Sequence, residues 1–305
     1  MSDQIESKWV QAVEKLQQRQ SPINIKQSSV KFQDYRPFTL IGHENLSISS
    51  GTLTATNTGT TVKLLAAPGT ALLEGGPLNV RYEFVEMHFH WGNMENKQTV
   101  AGSEHTIDSV AFPLELHMVH KNVHDPSVGE ALTHENGICV LGFLFTLVND
   151  DADIQTLGMD ALTKIVEEHL QNPNDKFDQE ATNNFSVCGD VNVANFLPLY
   201  LSEYFHYKGS LTTGGCEEAV NWVVFKTPIA IKERHLKALQ SIKNAEGGKM
   251  LNNYRQTMPV NDRPVYYKGE KLMDMKMISR DGMVGLRSQQ NAEVVEEDQF
   301  RKMAI

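Results

Sequence analysis

YEFVEMHFHW, residues 82–91, separates its side chains into two alternating sets, as a β-strand with one buried face does. Successive residues of a strand point to opposite faces, so every second residue shares a face. One predicted face carries Tyr82, Phe84, Glu86, His88 and His90. The other face carries Val85, Met87, Phe89 and Trp91, an apolar set suited to a core. The pattern therefore predicts a strand that turns two histidines and a carboxylate to one side.

PLELHMVH, residues 113–120, predicts a second strand of the same kind. Its first face carries Glu115, His117 and Val119, and its second face carries Leu114, Leu116 and Met118. Two such strands can direct three imidazoles and two carboxylates toward one cavity. Three neutral imidazoles with one open position are the ligand set of a catalytic zinc site.

The alternative interpretation is that these histidines are ordinary core or surface residues, because the chain contains 11 histidines and some will be paired by chance. Two features favour the metal site. The opposite face of each strand is apolar, so packing of that face turns the histidines toward a cavity. Each strand also carries a carboxylate that can accept the second imidazole N–H, and such partners fix the orientation of a metal-binding ring.

The composition is that of a soluble globular chain. Its 305 residues are 40% hydrophobic and 22% charged, which is enough for a full core without disulfide staples. The net charge of −10 and the lack of a Lys/Arg run exclude a nucleic-acid surface. No stretch of 18 apolar residues occurs, and the N-terminal residues lack the apolar segment of a signal peptide.

The cysteines are Cys139, Cys188 and Cys216. An odd number favours reduced thiols, and we therefore expect a cytoplasmic location.

Strands dominate the rest of the pattern. Residues 45–80 contain short alternating runs broken by glycines, which predict antiparallel strands. Residues 138–148, ICVLGFLFTLV, are continuously apolar and predict a strand buried on both faces. Residues 219–226 predict a further strand that ends before Pro228.

Helical spacing is confined to three segments, residues 3–17, 153–170 and 231–242. Residues 171–187 are polar and predict a loop, and the last thirty or so residues show little pattern. The sequence thus predicts one domain of many strands with a few peripheral helices.

Several motifs follow one another in a recognisable order. They are QSPINI (20–25), GGPL (75–78), HFHWG (88–92), GSEHT (102–106), ELHMVH (115–120), GSLTT (209–213), WVVFKTPI (222–229) and NYRQTMPVNDRPVY (253–266). Together they closely resemble the alpha-class carbonic anhydrases over about residues 9–268. The resemblance implies a mainly β (α+β) fold with a central, twisted, mostly antiparallel sheet of about ten strands and short peripheral helices. It implies a domain at 1–268, with 269–305 as a C-terminal tail for which disorder is one interpretation.

The resemblance also implies an activity, the reversible hydration of CO2 to bicarbonate and a proton by attack of a zinc-bound hydroxide. Such an enzyme is a lyase that serves pH regulation, and aromatic sulfonamides inhibit it. His88, His90 and His117 match the zinc ligands. Thr212 matches the residue that orients the hydroxide, and Glu104 matches the carboxylate that accepts a hydrogen bond from that threonine.

Further positions match the surroundings of the metal. Glu86 and Glu115 match the acceptors for the first and third ligand histidines. The positions that match the apolar wall where CO2 docks are Val119, Val140, Leu211, Val220 and Trp222. Thr213 matches a residue beside the reaction site. Without the resemblance, ordinary core packing explains the apolar positions equally well.

One departure concerns the removal of the proton. The fastest members of the family place a shuttle histidine where this chain has Thr60, which carries no proton at neutral pH. We therefore predict a slower enzyme that imidazole-type buffers accelerate. Lys63 and His124 are the alternative proton carriers suggested by the sequence.

Other departures surround the metal. Glu86 replaces the usual glutamine, and the predicted effect of its negative charge is a higher pKa of the metal-bound water unless a neighbour neutralises it. Gly214 and Gly215 replace two prolines and should loosen the loop beside Thr213. Cys216 matches half of a disulfide of secreted members, but its partner position is Lys15. This agrees with a cytoplasmic chain, although a secreted chain without its signal sequence remains an alternative.

Two other functional classes stay open at this point. The fold includes non-catalytic, carbonic-anhydrase-related binding proteins, which have lost zinc ligands, whereas this chain keeps all three. A carboxylate at the position of Glu86 also occurs in those relatives. A structural role of the C-terminal tail is the third interpretation, and the sequence leaves the oligomeric state open.

Overall fold

A computed structural model describes residues 18–94, 101–182, 190–198 and 200–269. The predicted helix at 3–17, the residue Cys188 and the tail beyond residue 269 lie outside these ranges. Among the described residues, no helix is both long and apolar enough to cross a membrane.

Strands form most of the described chain. They are β1 (Asn24–Ile25), β2 (Lys31–Phe32), β3 (Arg36–Ile41), β4 (Leu53–Asn57), β5 (Val62–Ala66), β6 (Leu72–Gly76), β7 (Tyr82–Trp91), β8 (Thr106–Ile107), β9 (Leu114–Asn122), β10 (Ile138–Val148), β11 (Lys176–Phe177), β12 (Tyr204–Gly209), β13 (Val220–Phe225), β14 (Ile229–Lys232) and β15 (Tyr266–Lys268). The α-helices are short: α1 (Val128–Ala131), α2 (Leu157–His169), α3 (Gln179–Thr182) and α4 (Glu233–Ser241). Three 3-10 turns lie at Gln27–Ser29, His43–Asn45 and Val193–Phe196.

A single large sheet contains thirteen of the described strands, and β1 pairs with β8 in a separate two-stranded sheet. At its centre, β5, β7, β9 and β10 are antiparallel neighbours. The two pairings of β10 with β13 and β14 are parallel. The prediction of a mainly β fold with a mostly antiparallel central sheet and short helices is confirmed, with thirteen strands where about ten were expected.

The strand β10 is buried on both faces, as its continuous apolar sequence predicted. Cys139, Leu141, Phe143 and Phe145 point into the larger hydrophobic cluster. Ile138, Val140 and Leu144 point into a second cluster on the other face. This strand therefore separates the main core from the side of the sheet that carries the histidines.

The alternation in β7 changes phase at Val85, which corrects the prediction from residues 82–91. The pairing with β9 slips by one residue between Phe84 and Glu86, because a β-bulge inserts an extra residue there. As a result Tyr82 and Phe84 lie in the main core with Met87, whereas Val85 is only half-buried. The predicted face of Glu86, His88 and His90 is retained, but Tyr82 and Phe84 do not share it.

The two helix predictions that fall on described residues hold with small shifts of boundary. The helix predicted at 153–170 spans Leu157–His169, and the helix predicted at 231–242 spans Glu233–Ser241 because Ile231 pairs with β10. The predicted loop at 171–187 contains β11 and α3 in its described part, so that prediction was too simple. The carboxylate of Asp178 accepts hydrogen bonds from the backbone N–H groups of Glu180 and Ala181, which starts the short helix.

Candidate metal centre

The three predicted ligand histidines lie together because β7 and β9 pair in a register that sets His88 opposite His117. The ring centroids are 5.0 Å apart for His88 and His90, 5.2 Å for His88 and His117, and 4.6 Å for His90 and His117. One ring nitrogen of each histidine lies within 4.8 Å of the other two. The arrangement can hold one metal ion between three imidazoles.

Each of the three rings is oriented by an acceptor on its outer nitrogen. The distances are 2.9 Å from His88 Nδ1 to Glu86 Oε1, 3.0 Å from His90 Nδ1 to the Asn253 carbonyl, and 2.8 Å from His117 Nε2 to Glu115 Oε1. With a proton on each of these nitrogens, the lone pairs remain on His88 Nε2, His90 Nε2 and His117 Nδ1. The ring orientations are therefore those of metal ligands with outer acceptors.

The donor set fits zinc. The Nε2 atom of His90 is buried and has no hydrogen-bond partner among the described residues. Such an orphaned nitrogen is costly unless it binds an ion. Burial lowers the pKa of His90 and of His117, so both rings are neutral at neutral pH, which is the form that binds metal. Three imidazoles favour zinc over the hard cations that prefer oxygen ligands.

A second group of possible ligands consists of His105, Glu115 and His117. Its atoms already hydrogen-bond to one another, since Glu115 Oε1 lies 2.7 Å from His105 Nδ1 and 2.8 Å from His117 Nε2. The first group offers free lone pairs and the second does not, so His88, His90 and His117 are the better candidate metal site.

Glu115 is held by four hydrogen bonds. Its Oε1 accepts from the two rings just named, and its Oε2 accepts from the backbone N–H groups of Glu104 and His105. Burial alone raises the pKa of a carboxyl group, but attraction to and hydrogen bonds from His105 and His117 hold the pKa of Glu115 well below its usual range. Glu115 is therefore ionised and fixes the ring of His117.

The network continues to residues that the sequence analysis missed. Nε2 of His105 lies 2.7 Å from the Tyr207 hydroxyl, which donates to Oγ of Ser21 at 2.8 Å. Ser21 and His105 stand inside the quoted motifs QSPINI and GSEHT, so the motifs offered a signal for two of the three. Asn253, which was also missed, holds the ring of His90 through its carbonyl and begins the last quoted motif.

Glu104 lies close to the rings but does not form the predicted bond with Thr212. Its Oε1 accepts from the backbone N–H of Arg255 at 2.9 Å and lies 3.4 Å from His90 Nδ1. Its Oε2 is buried, lies 3.9 Å from His117 Nδ1 and has no hydrogen-bond partner in the described ranges. Thr212 is itself buried. The hydrogen bond between these two residues is thus absent, and their catalytic roles stay predictions.

The apolar positions predicted to form a CO2 wall lie on one face of neighbouring strands. Val140 stands opposite Val119 on one side and opposite Trp222 on the other. With Val220 they belong to the second hydrophobic cluster, and Leu211 packs half-buried against it. The Trp222 ring lies edge-on to the His117 ring, with centroids 4.7 Å apart. These strand residues are buried and are not part of the wall of the cavity described next, so their role as a CO2 wall stays a prediction.

A cavity of about 650 Å³ leads to the histidines. Its wall includes Thr58, Thr60, Lys63, Glu86, His88, His90, Thr213, Lys249 and Asn253. Thr60 is exposed on this wall, and Lys63 lies beside Glu86. His124 follows the end of β9 that is remote from His117 and does not line the cavity. Of the two alternative proton carriers, only Lys63 is therefore near the site.

The loop after Thr213 has a backbone that proline cannot adopt. Gly214 has a φ of 64°, in the left-handed region, and the proline ring fixes φ near −65°. Cys216 also has a positive φ of 55°, and its thiol is free. Gly214 therefore gives this loop a path that a proline at the same position could not follow.

The fold is a β-sheet protein in which three histidines could hold one metal ion, and two of them, His88 and His90, line a cavity. Residues 4–269 match the family described as eukaryotic-type carbonic anhydrase, and the chain belongs to this family.

Curated relatives agree with this assignment. Human carbonic anhydrase 3 is 32% identical over 199 residues, which cover 64% of this chain and 69% of that protein. A putative carbonic anhydrase 5 of Caenorhabditis elegans is 30% identical over 267 residues, covering 85% and 78%. Mouse carbonic anhydrase 6 is 29% identical over 262 residues, covering 85% and 76%.

Proposed function

We propose that this chain catalyses the zinc-dependent, reversible hydration of CO2 to bicarbonate and a proton. The observation that carries the proposal is the orientation of the three imidazoles, each with an acceptor on its outer nitrogen. Zinc, when bound, lowers the pKa of a coordinated water to about 7 and so makes a hydroxide nucleophile available at neutral pH.

The chain's own residues then act on the substrate. Because CO2 is uncharged, the apolar surface of Val119, Val140 and Trp222 binds it without displacing a hydrogen-bonded partner. Thr212 is buried, and we assign it the role of orienting the nucleophile by accepting a hydrogen bond. Its hydroxyl proton then needs an acceptor, and Oε2 of Glu104, which has no hydrogen-bond partner among the described residues, is the candidate.

The proton released by the reaction has to reach the solvent. The exposed hydroxyl of Thr60 lies 3.0 Å from the Thr58 hydroxyl, and neither group gains or loses a proton near neutral pH. Proton transfer therefore depends on water and on buffer, and we propose that it limits the rate of this enzyme.

The first experiment is stopped-flow CO2 hydration by the purified chain, with bound zinc quantified and the imidazole concentration varied. We expect about one zinc per chain, inhibition by an aromatic sulfonamide and a rate that rises with buffer. A high rate that does not respond to buffer would contradict the proposed proton pathway. Bound zinc without any hydration activity would contradict the catalytic proposal itself.

A non-catalytic binding protein is the second candidate, because the hydrogen bond between Thr212 and Glu104 is absent in this structure. Under this alternative the metal site is structural and the cavity does no chemistry. Substitution of Thr212 by Ala separates the two candidates. It should lower the hydration rate by about a hundredfold in an enzyme and change nothing measurable in a binding protein.

We also propose a cytoplasmic location. The thiols of Cys139 and Cys216 are free, which suits a reducing compartment. Fractionation of cells that express the full-length protein tests this proposal, and recovery from the medium would contradict it.

A further inference from the structure

A lysine, a glutamate and a metal-site histidine form a continuous polar chain at the base of the cavity. In the pairing of β5 with β7, Lys63 stands opposite His88 and Leu65 stands opposite Glu86. The Lys63 ammonium forms an ion pair with Oε2 of Glu86. The other oxygen of Glu86, Oε1, lies 2.9 Å from Nδ1 of His88. One carboxylate thus joins a cation on β5 to a ligand ring on β7.

The Glu86 carboxylate is largely buried, with 12% of its side chain exposed, and it lies between the Lys63 ammonium and the His88 ring. A buried charge without a counter-charge is costly, and within the described ranges Lys63 is the only lysine or arginine paired with this carboxylate.

The same carboxylate matters for the metal. A negative charge on the outer acceptor strengthens the imidazole as a ligand and attracts a divalent cation. A positive charge on the far side of that acceptor opposes both effects. The net charge of Lys63 and Glu86 together is zero, as it is for an uncharged amide acceptor.

We propose that Lys63 is a charge-compensating, positioning residue of the metal centre, which cancels the charge of Glu86 and so sets how tightly the three histidines hold a divalent cation. The proposal rests on the proposed function only in that the site binds zinc. It does not require Lys63 to touch the substrate or to carry a proton.

The proposal predicts that the two single substitutions change the dissociation constant for zinc in opposite directions. Lys63→Met leaves Glu86 uncompensated beside the metal, and we expect the dissociation constant for zinc to fall about tenfold, the lower end of typical effects of outer-acceptor changes. Glu86→Gln leaves the Lys63 ammonium uncompensated, and we expect the dissociation constant to rise. The double variant restores a neutral pair and should bind zinc within about threefold of the unsubstituted chain.

The experiment measures zinc affinity by competition with a chromophoric chelator, using metal-free protein that circular dichroism shows to be folded. Lys249→Met is the matched control, because Lys249 lines the same cavity but is exposed and forms no ion pair among the described residues. It should change the dissociation constant less than twofold. The release rate of zinc gives a second readout, and it should slow only in Lys63→Met.

Weaker binding in both single variants, without recovery in the double variant, would overturn the proposal and make the ion pair a purely structural contact. Unchanged affinity in Lys63→Met would overturn it as well. Failure of the unsubstituted chain to bind zinc would instead overturn the proposed function. The two failures are therefore distinguishable in one series of titrations.

Discussion

Substitution of Thr60 tests whether a single side chain on the cavity wall limits the rate of the proposed reaction. Its side chain is exposed on the cavity wall that also contains His88 and His90. An imidazole there would titrate near pH 6.5 and could carry protons between the cavity and the solvent. We expect Thr60→His to raise the CO2 hydration rate about tenfold in weak buffer, the extra rate coming from proton transfer.

The measurement is the turnover number as a function of imidazole concentration. In the Thr60→His variant the dependence on buffer should largely disappear, because the protein supplies its own proton carrier. Val110→His is a suitable control, since Val110 is exposed but does not line the cavity. An equal gain from the control, or no gain from Thr60→His, would show that proton transfer through the cavity does not limit the rate.

A second residue-scale feature is the buried pair of His43 and His120, whose Nε2 atoms lie 3.2 Å apart beside Phe84. Burial lowers the pKa of His43 from 6.5 to about 4, although the charge of Glu44 partly opposes the shift. Above pH 7 the His43 side chain is neutral in both the folded and the unfolded chain. As the pH falls below 6.5, the unfolded chain takes up a proton first, and the folded state loses stability until about pH 4.

The titration of His43 alone should therefore lower the unfolding free energy by about 2 kcal/mol as the pH falls from 7 to 5. His43→Gln keeps a polar partner for His120 but does not titrate. We measure the unfolding free energy of both proteins in urea at pH 7 and at pH 5. The decrease between the two pH values should be smaller in His43→Gln than in the unsubstituted chain, by about 2 kcal/mol. An identical pH dependence in the two proteins would contradict the prediction. His124→Gln, at an exposed site, should cost less than about 0.5 kcal/mol at pH 7.

At the scale of elements, the strand β7 shows what a sequence pattern can and cannot reveal. Alternation placed Glu86, His88 and His90 on one face, because that rule depends only on the local backbone. It failed at Tyr82 and Phe84, because the bulge at Val85 depends on how β7 pairs with β9. The large apolar residues do change phase between Phe84 and Met87, but the apolar side chain of Val85 hides the change, so only the pairing with β9 shows where the bulge lies.

The bulge reverses which of two neighbouring residues should matter more for stability. Simple alternation places Val85 in the core, whereas the structure places Phe84 there. Phe84 is buried in the main core and Val85 is half-buried outside it. We expect Phe84→Ala to cost about 3–5 kcal/mol of unfolding free energy and Val85→Ala to cost about 1 kcal/mol or less. Urea unfolding of the two metal-free variants measures both values. A larger loss from Val85→Ala would mean that the uninterrupted alternation is correct.

Contacts between distant elements were also beyond the sequence pattern. The ion pair of Lys63 with Glu86 depends on the register of β5 against β7, and the chain from His105 through Tyr207 to Ser21 joins three separate segments. The resemblance to a family identified the three histidines, which stand within short motifs, and the acceptors Glu86 and Glu115, but it missed the Asn253 carbonyl that holds the ring of His90. The sequence suggested Lys63 only as a proton carrier, because its contact with Glu86 depends on the pairing of β5 with β7.

At the scale of the whole molecule, the metal site joins the segment at Asn253 to the central strands, so occupancy should affect global stability. A ligand that binds only the folded state stabilises it by about 4 kcal/mol at a thousandfold excess over its dissociation constant. For a domain of this size we expect that gain to raise the unfolding temperature by about 10 °C. Calorimetry with added zinc, compared with chelator-treated protein, measures the difference.

Two variants then show which group of histidines holds the ion. His88→Gln removes a free lone pair from the group of His88, His90 and His117, so zinc should no longer raise the unfolding temperature. His105→Gln disrupts the hydrogen bonds of Glu115 and should lower the unfolding temperature of both the metal-free and the zinc-loaded protein. His105→Gln leaves the lone pairs of His88, His90 and His117 in place. Zinc should therefore still raise the unfolding temperature of this variant by most of the original amount. The opposite result would be a zinc-induced rise in unfolding temperature that is lost in His105→Gln and kept in His88→Gln. It would mean that His105, Glu115 and His117 bind the metal, away from the cavity.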